Sequence, residues 1–514
     1  MKIGIGVGIN YITNSAIANY LAGAMIWGFR SKFKWSQTST DIWGFANPND
    51  IDPESQVVYD RIIADGGVSD LTRLNYFVVG LKTIYGTLAN VPVCYDAHWI
   101  GYKLGSGTGA TAGQAAAKLY SLTVAGDAVQ TTAASQPLLL SHNGADNYWW
   151  GSGVSGNYVS TPNAAANQIT GDIEIVAYVD YKNNATFQTI ISKIIQGTGF
   201  CYGLFINASN QIYMSTGNGA IDTPVNSTAS LGPTFTGWIR VSRVSSTGLV
   251  TFATSTNAPT TNISSISFSS FGTPAIGYIG ALGNPNNTVQ IGTYSASQLF
   301  SFQGKIYRAT IANSIGGTPV VDFNPATYNA ATSQTQWTSS TGEVWTINTG
   351  TATTGYKGCV VSKTIIMSDG IDDNISSTIQ MPQYLTEFHA VNQLAFGSND
   401  FISLSGSSLN HLLYNNGTTL RAYNLGNAVN FTSTANLLQI YTSDYAVSAE
   451  VRTNNSSINT GILTGSAPSA GKTFFNQGVN YANCILSSYI AASTNLNNTQ
   501  KTSMYDMLKT MNGL

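Results

Sequence analysis

Charged side chains are scarce in this sequence. Asp, Glu, Lys and Arg make up 9% of its 514 residues, and the formal net charge is −2. Average globular domains contain about 25% charged residues. A nearly neutral chain without a basic stripe gives no reason to expect nucleic-acid binding. Intrinsic disorder is also disfavoured, because disordered chains combine low hydrophobicity with high net charge, whereas 43% of these residues are apolar.

The sequence also has few cysteines and no long apolar run. Cys94, Cys201, Cys359 and Cys484 are far apart and form no CxxC pair. This spacing argues against both a zinc site and a disulfide scaffold, so we expect buried free thiols. The chain has no apolar run of about 18 residues or more, and we therefore expect no membrane insertion.

Motifs that carry catalysis are missing. The four histidines are His98, His142, His389 and His411. They show no metal-ligand spacing and no paired nucleophile, and the chain has neither a Gly-x-Ser-x-Gly elbow nor a phosphate-binding loop. Asp172 and Glu174 alternate on one strand as glycosidase acids do, but Val176 occupies the position of the third acid. We predict that the protein is not an enzyme.

What the sequence does contain is a succession of β-strand patterns. In residues 171–181, Glu174 and Asp180 face away from an apolar row at period two. That row is Ile173, Ile175, Ala177, Val179 and Tyr181. Further strand patterns follow at 237–241, 249–254, 276–280 and 302–311. Their order resembles the concanavalin A-like, laminin-G-type β-sandwich, a jelly roll of two antiparallel sheets.

The same pattern recurs later in the chain. Residues 414–427 align without a gap to 205–218, and residues 437–440 stand where 238–241 stood. The segment 482–490 takes the place of the closing strand, although Trp238 has a leucine as its counterpart. Internal duplication is a strong guide to domain count. It predicts a second, degenerate sandwich.

Helices are expected near both ends. Asp52 is a good N-cap ahead of Pro53, and Ser69 is the expected N-cap of a second helix that runs to Gly86. A third helix is predicted within 497–511, with Asn498 or Thr499 as its cap.

The hairpin, the sandwiches and the final helix together resemble structural proteins of tailed bacteriophages. The residues that carry this resemblance are 53–63, 77–82 and the glycine-alternating start at 1–8. The resemblance implies a virion protein of the tail-fibre, spike or head-fibre type. It also implies an extracellular location after assembly in the host cytoplasm.

We therefore predict a mainly β protein with two tandem antiparallel β-sandwiches, a short N-terminal helical hairpin and a C-terminal helix. Residues 1–50 are assigned to a docking or assembly segment and residues 51–109 to the helical hairpin and a linker. The first laminin-G-like sandwich and its trailing appendage are placed at 110–356. The second sandwich is placed at 357–496, and the helix at 497–514.

Two candidate sites follow from the residues. Adjacent strand residues point to opposite faces, so we expect one of Trp149 and Trp150 to be exposed for ligand contact. Asp369, Asp372 and Asp373 surround a glycine turn and offer hard oxygen ligands. Calcium is the cofactor that these acids would bind, and ordinary turn formation is the alternative.

The preferred function is a non-enzymatic virion structural protein that displays lectin-like sandwiches for attachment to a host-surface glycan or protein. Its expected partners are other virion proteins and further copies of itself, with a trimer as one option. A head fibre or decoration protein that binds only other virion proteins is the first alternative. The second is a secreted bacterial carbohydrate-binding adhesin, which would require cleavage after Ala24.

Overall fold

The structure is a computed structural model that describes most of the chain after residue 50. The described residues are 51–105, 114–142, 146–294, 299–350, 355–379, 385–394, 398–405, 410–416, 419–424, 427–431, 434, 437–445, 449–454, 456–461, 472–477, 480–494 and 496–514. Residues 51–514 form one compact unit. The docking segment expected at 1–50 lies outside the described residues.

The described residues contain three α-helices, which begin and end at polar caps and glycines. They are α1 (Pro53–Ala64), α2 (Leu71–Tyr85) and α3 (Asn498–Asn512). The predicted cap Asp52 accepts a hydrogen bond from the backbone N–H of Glu54. Asp70, rather than Ser69, caps α2. Asn497 caps α3 instead of the two residues after it, because only Asn497 forms the reciprocal capping box with Gln500.

The strands fall into three successive groups along the chain. The first group is β1 (Val93–Tyr95), β2 (Tyr102–Leu104), β3 (Gln114–Leu119), β4 (Ala128–Val129) and β5 (Leu138–Leu140). The second is β6 (Tyr148–Ser152), β7 (Tyr158–Thr161), β8 (Ile173–Lys182), β9 (Gln188–Ile195), β10 (Gly199–Ile206), β11 (Gln211–Gly219), β12 (Val225–Ser230), β13 (Thr234–Arg243), β14 (Leu249–Ser255), β15 (Ser269–Ser270), β16 (Ala275–Ile276), β17 (Val289–Ile291), β18 (Gln303–Ala312), β19 (Pro319–Phe323), β20 (Gln336–Thr338), β21 (Val344–Asn348) and β22 (Cys359–Val361). The third is β23 (Ile365–Met367), β24 (Ile375–Ser377), β25 (Leu385–Gln393), β26 (Ser398–Ser405), β27 (Asn410–Asn416), β28 (Thr419–Asn424), β29 (Asn427–Phe431), β30 (Leu438–Tyr445), β31 (Ala449–Thr453), β32 (Ser456–Gly461), β33 (Lys472–Phe474), β34 (Asn476–Gln477), β35 (Asn480–Tyr481) and β36 (Cys484–Ala492).

The middle group, β6–β22, forms the first sandwich. Sheet 1 has the order β15-β14-β13-β8-β18-β6-β22, with β16 beside β14 and β19 beside β18. Sheet 2 has the order β12-β11-β10-β9-β17-β7-β21-β20. Strand β8 lies between β13 and β18, and its predicted apolar row, from Ile173 to Tyr181, is buried in the core between the sheets. Burial of this row on a central strand fixes the register of sheet 1.

The second sandwich is built from the first and third groups together. In sheet 3, β25 pairs with both β30 and β36, and β36 pairs with β1 and β23. In sheet 4, β33 joins β26 to β24, and β24 pairs with β4. The order β31-β30-β25-β36 repeats the order β14-β13-β8-β18 of sheet 1. The mainly β fold and the internal repeat agree with the prediction from sequence.

The domain boundaries differ from those expected at residues 110 and 357. Strands β4 and β5 pair with β24 and β23 of the third group, and β3 pairs with β4 and β5, so residues 114–140 belong to the second sandwich. The first sandwich is therefore an insertion that begins near Tyr148 and ends near Val361. The short strands 93–140 carry little pattern of their own, and the partners that β1, β4 and β5 have in the third group lie more than 200 positions later in the chain.

A two-stranded ribbon connects the sandwiches. Strand β5 pairs with β23 in sheet 3, and the continuing chains pair again as β6 with β22 in sheet 1. Apolar side chains from both pairs form one cluster at the junction: Leu138, Leu140, Tyr148, Trp150, Cys359, Val361, Ile365 and Met367. Two crossing strands and a shared cluster join the sandwiches at this point.

Candidate functional site

The two tryptophans predicted to contact a ligand are both buried. Trp149 and Trp150 are each 0% exposed. Trp149 lies in the core of the first sandwich, and Trp150 packs in the junction cluster, where its ring is 6.2 Å from that of Tyr356. They do point to opposite faces of β6, but the second sandwich covers the face that was expected to be open. Neither ring is accessible to a ligand, which corrects that prediction.

The three predicted cation ligands lie together in the loop between β23 and β24. One carboxylate oxygen from each of Asp369, Asp372 and Asp373 lies within 4.8 Å of the others. Asp373 is buried and accepts hydrogen bonds from the Tyr356 hydroxyl at 2.9 Å and from the Asp369 backbone N–H at 3.0 Å. Burial, followed by the neighbouring Asp369, raises the pKa of the Asp373 carboxyl to about 8.

This donor set fits a hard divalent cation. Calcium takes oxygen ligands, and a nearby cation offsets the repulsion among close carboxylates. Burial, together with the charge of Asp372, also raises the pKa of Asp369, the direction expected for a carboxyl that is taken from water and placed beside other acids. Asp369, Asp372 and Asp373 would therefore hold Ca²⁺, with the remaining positions filled by backbone carbonyls or water.

The residues that alternate on the opening strand have structural partners. Asp172 Oδ1 accepts hydrogen bonds from the Ser245 N–H at 2.7 Å and the Ser245 hydroxyl at 2.8 Å, and these bonds lower the pKa of Asp172. Glu174 is buried on sheet 1, and burial raises its pKa. Asp172 thus stabilises the start of the strand, and Glu174 is part of the buried surface of sheet 1.

The structure does pair a histidine with a hydroxyl, which the sequence did not indicate. His389 Nε2 lies 2.7 Å from Ser403 Oγ and 3.7 Å from Glu387 Oε2. All three side chains are 0% exposed within the second sandwich. Burial lowers the pKa of His389 well below its usual range, so the ring is neutral. This group is part of the core of the sandwich.

A surface that the sequence analysis missed lies on the outside of sheet 2. We call it the aromatic face, and it consists of Phe187, Phe205, Tyr213, Tyr294 and Phe300. In β10 and β11, Leu204 and Met214 point into the core, so their neighbours Phe205 and Tyr213 point outward at paired positions. Side chains from two loops complete the surface.

The rings of the aromatic face contact one another in a continuous chain. Phe187 lies 5.1 Å from Tyr213 and 5.2 Å from Phe300, measured between ring centroids. Tyr294 lies 5.4 Å from Phe300 and 5.7 Å from Phe205. Phe205 and Tyr294 form the floor at 2% and 9% exposure, while Phe300 is 39% exposed. Phe187 and Tyr213 are partly exposed.

Two backbone features hold the rings in this arrangement. A Cβ on Gly203 would lie 2.5 Å from Cε2 of Phe205, so glycine at this position lets the ring lie against the strand. Phe300 has a φ of 55°, in the left-handed region that a bulky residue rarely adopts. Such conformations cost about 1–3 kcal/mol and concentrate at functional positions.

Polar groups border the aromatic face. Asp222 is partly buried and accepts a hydrogen bond from the Ser215 hydroxyl at 2.6 Å. Burial and then Asp222 raise the pKa of Tyr213 to about 12, and the same two causes raise the pKa of Tyr294. Asn226 pairs with Tyr213 across the strands and is exposed. The exposed rings can pack on an apolar ligand surface, while the neighbouring carboxylate and amide form hydrogen bonds with the hydroxyl groups of the ligand.

No protein-family model and no curated protein matches this sequence. Among the described residues, no helix is both long and apolar enough to cross a lipid bilayer.

Several solved structures match parts of this chain at low identity. Domains LG4–5 of the mouse laminin α1 chain are 8% identical over 69% of this chain and 92% of that chain, with a TM-score of 0.26. The binding domain of botulinum neurotoxin serotype G is 13% identical over 30% of this chain, with a TM-score of 0.26, and only 44% of the neurotoxin chain is covered. A carbohydrate-binding module, CBM40, of the Ruminococcus gnavus IT-sialidase is 12% identical over 32% of this chain and 90% of its own, with a TM-score of 0.23. At these identities and TM-scores, the β-sandwich assignment rests on the strand pairing of this chain itself.

Proposed function

We propose that this chain is a non-enzymatic structural protein of a bacteriophage particle that attaches the particle to glycans on the host surface. The observation that carries the proposal is the aromatic face of the first sandwich. Three partly exposed rings, a carboxylate and an amide on a rigid sheet match what a sugar presents, namely an apolar ring face and hydroxyl groups at its rim. The bacteriophage context is supported by the sequence resemblance of the hairpin and the N-terminal segment.

The charge of the face favours neutral sugars. Asp222 is the acidic side chain beside Tyr213 and Tyr294, and it accepts its hydrogen bond from Ser215. A carboxylate repels acidic sugars and accepts hydrogen bonds from neutral hydroxyl groups. We therefore expect neutral hexoses and N-acetylated hexosamines to bind in preference to sialic or uronic acids.

Weak binding at one face becomes strong attachment when copies act together. A homo-oligomer docked on other virion proteins would present several aromatic faces to one cell surface. Linked sites can raise the overall affinity by about 10²–10⁴-fold without any new contact. This is why a shallow surface on a fibre or spike suffices for host attachment.

Adsorption of the purified, fluorescently labelled chain to bacterial cells tests the proposal. We expect binding that is lost when the cell-surface glycans are oxidised with periodate, and that falls for Phe300→Ser. The matched control is Ile315→Ser, because Ile315 is 45% exposed on the turn that follows β18 in the opposite sheet. Binding that resists periodate would indicate a protein receptor, and equal loss in both variants would contradict a role for the aromatic face.

Antibody–gold labelling of purified particles tests the bacteriophage context separately. Label at the tail tip or baseplate agrees with host attachment. Label over the capsid would favour a head fibre or decoration protein that binds only other virion proteins. If no particle were labelled, the virion assignment would be contradicted and a secreted adhesin would take its place.

A further inference from the structure

A lysine and an asparagine from distant parts of the chain meet near the junction of the two sandwiches. Lys363 lies in the short link between β22 and β23, and Asn512 is the last residue of α3. The Lys363 ammonium hydrogen-bonds the side-chain oxygen of Asn512, so the amide carbon is one bond beyond the contacting atom. Asn512 is buried.

A hydrogen-bonded chain leads from the Asn512 amide to a buried acid. Asn512 Nδ2 donates to Leu508 O at 2.6 Å and to Ser488 Oγ at 3.4 Å. The Ser488 hydroxyl in turn lies 2.6 Å from Asp96 Oδ2. Asp96 is buried just after β1, and its other oxygen accepts the N–H groups of His98 and Trp99. The nitrogen of the amide is thus linked through one hydroxyl to a carboxyl group.

The protonation states of the two ionisable groups suit nucleophilic attack. Burial lowers the pKa of the Lys363 amine to about 8, although the charge of Asp96 opposes the shift. A substantial fraction of the amine is therefore neutral near pH 7.5, and only the neutral amine is a nucleophile. Burial raises the pKa of Asp96, which favours its acid form as a proton donor.

We propose that Lys363 and Asn512 form an intramolecular isopeptide bond. Lys363 Nζ attacks Cγ of Asn512, an Nζ–Cγ bond forms, and the Cγ–Nδ2 bond breaks. Asp96 gives one proton through Ser488 to Nδ2, the proton lost from Nζ restores the Asp96 acid, and the nitrogen departs as ammonia. Atoms and charge balance without an oxidant or a cofactor: an amine and a primary amide give a secondary amide and ammonia.

The surroundings of the pair allow the product to leave. A cavity of about 70 Å³ lies beside both residues and is lined also by Ile365, Ser487 and Ile485. Ammonia is smaller than this space. The Asn512 side chain is buried, which protects its amide from competing hydrolysis by bulk water.

The cross-link would hold the C-terminal helix to the link between the sandwiches. The described cysteines are buried and free, so no disulfide connects them. An isopeptide bond would close the chain from residue 363 to residue 512 into a loop. Closing so long a loop restricts the unfolded chain and favours the folded state.

Peptide mapping of the purified full chain by mass spectrometry tests the proposal. We expect the Lys363 peptide joined to the Asn512 peptide, and an intact mass lower than the sequence mass by one ammonia. Lys363→Arg keeps the positive charge but removes the nucleophilic amine, so its mass should show no loss. Wild-type protein that is folded and has separate Lys363 and Asn512 peptides would overturn the proposal, whether or not the variant folds.

One side reaction gives the same mass change and must be distinguished. Asn512 precedes Gly513, and attack by the Gly513 backbone nitrogen would form a succinimide and also release ammonia. That product needs no lysine, so an ammonia loss that persists in Lys363→Arg would overturn the isopeptide assignment.

The variant Asp96→Asn tests whether Asp96 is the proton donor in this reaction. This variant should fold with an unchanged near-ultraviolet circular dichroism spectrum and show a smaller cross-linked fraction. A folded variant with a full cross-linked fraction would exclude Asp96 from the reaction.

Discussion

The buried ion pair of the second sandwich gives the sharpest stability prediction. Lys472 Nζ lies 2.8 Å and 2.9 Å from the two carboxylate oxygens of Glu387, and the Tyr489 hydroxyl donates to the same carboxylate at 2.9 Å. Lys472 and Glu387 are 0% exposed. Replacing Lys472 with methionine removes the cation but leaves the Glu387 carboxylate in the core beside the neutral Tyr489 hydroxyl.

The expected magnitude follows from leaving one charge uncompensated. Breaking a buried pair by removing one partner costs about 3–5 kcal/mol, whereas replacing both partners with apolar residues is often neutral. For a domain of this size, about 2–4 °C of melting temperature corresponds to each kcal/mol, so Lys472→Met should melt roughly 6–20 °C lower. The double variant Lys472→Met/Glu387→Leu should recover most of that loss.

Differential scanning calorimetry on the full chain measures both variants against wild type. Two results would refute the reasoning. One is a Lys472→Met melting temperature equal to that of wild type, which would mean that water or another group compensates Glu387. The other is a double variant as unstable as the single one, which would mean that packing and not charge sets the cost.

Three further predictions concern the cation loop, the aromatic face and the contact between the sandwiches. Because the pKa of Asp373 rises from 3.8 to about 8 on folding, the folded chain binds the extra proton, and stability should fall as the pH rises from about 4 to about 8 without calcium. Urea unfolding at several pH values in this range should show this decrease in the free energy of unfolding for wild type and no such decrease for Asp373→Asn. Adding Ca²⁺ at pH 8 should stabilise wild type but not the variant. Gly203→Ala should displace the Phe205 ring and lower the free energy of unfolding by about 1–3 kcal/mol, measured by urea unfolding. The near-ultraviolet circular dichroism spectrum should change as well, and an unchanged spectrum would contradict the ring placement. Gln334→Ala should lower the free energy of unfolding by about 1 kcal/mol, because the Gln334 side-chain amide makes two hydrogen bonds with the Leu438 backbone between the sandwiches. An unchanged free energy of unfolding would show that this contact does not stabilise the fold.

Local patterns in the sequence predicted much of the fold. The apolar row on β8 is detectable because a half-buried strand alternates at period two, and the second copy is detectable because the strand order is repeated. The acids Asp369, Asp372 and Asp373 were also predictable as a group, since five positions of one turn contain all three. Each of these features depends on residues that are close in sequence.

The features that were missed depend on contacts between distant segments. Trp150 is buried in the junction cluster, to which β5 and β23 of the second sandwich contribute Leu138, Leu140, Ile365 and Met367. The insertion of the first sandwich could not be detected, because β5 and β23 pair across about 230 residues of intervening chain.

The aromatic face collects Phe187, Tyr213 and Phe300 from three separate segments. One local signal did exist. In paired strands, Phe205 and Tyr213 are out of phase with the core residues, which marks large aromatic side chains on an outer surface.

The most direct test of the account is a glycan-binding assay on an array of immobilised bacterial polysaccharides and oligosaccharides. Wild-type chain and the Ile315→Ser control should bind the same neutral glycans, and Phe300→Ser should lose that signal about tenfold or more, as expected if one exposed ring contributes about 1.4 kcal/mol. A wild-type chain that binds no glycan, or a Phe300→Ser variant that binds as well as the control, would contradict the assignment of the aromatic face as the attachment site.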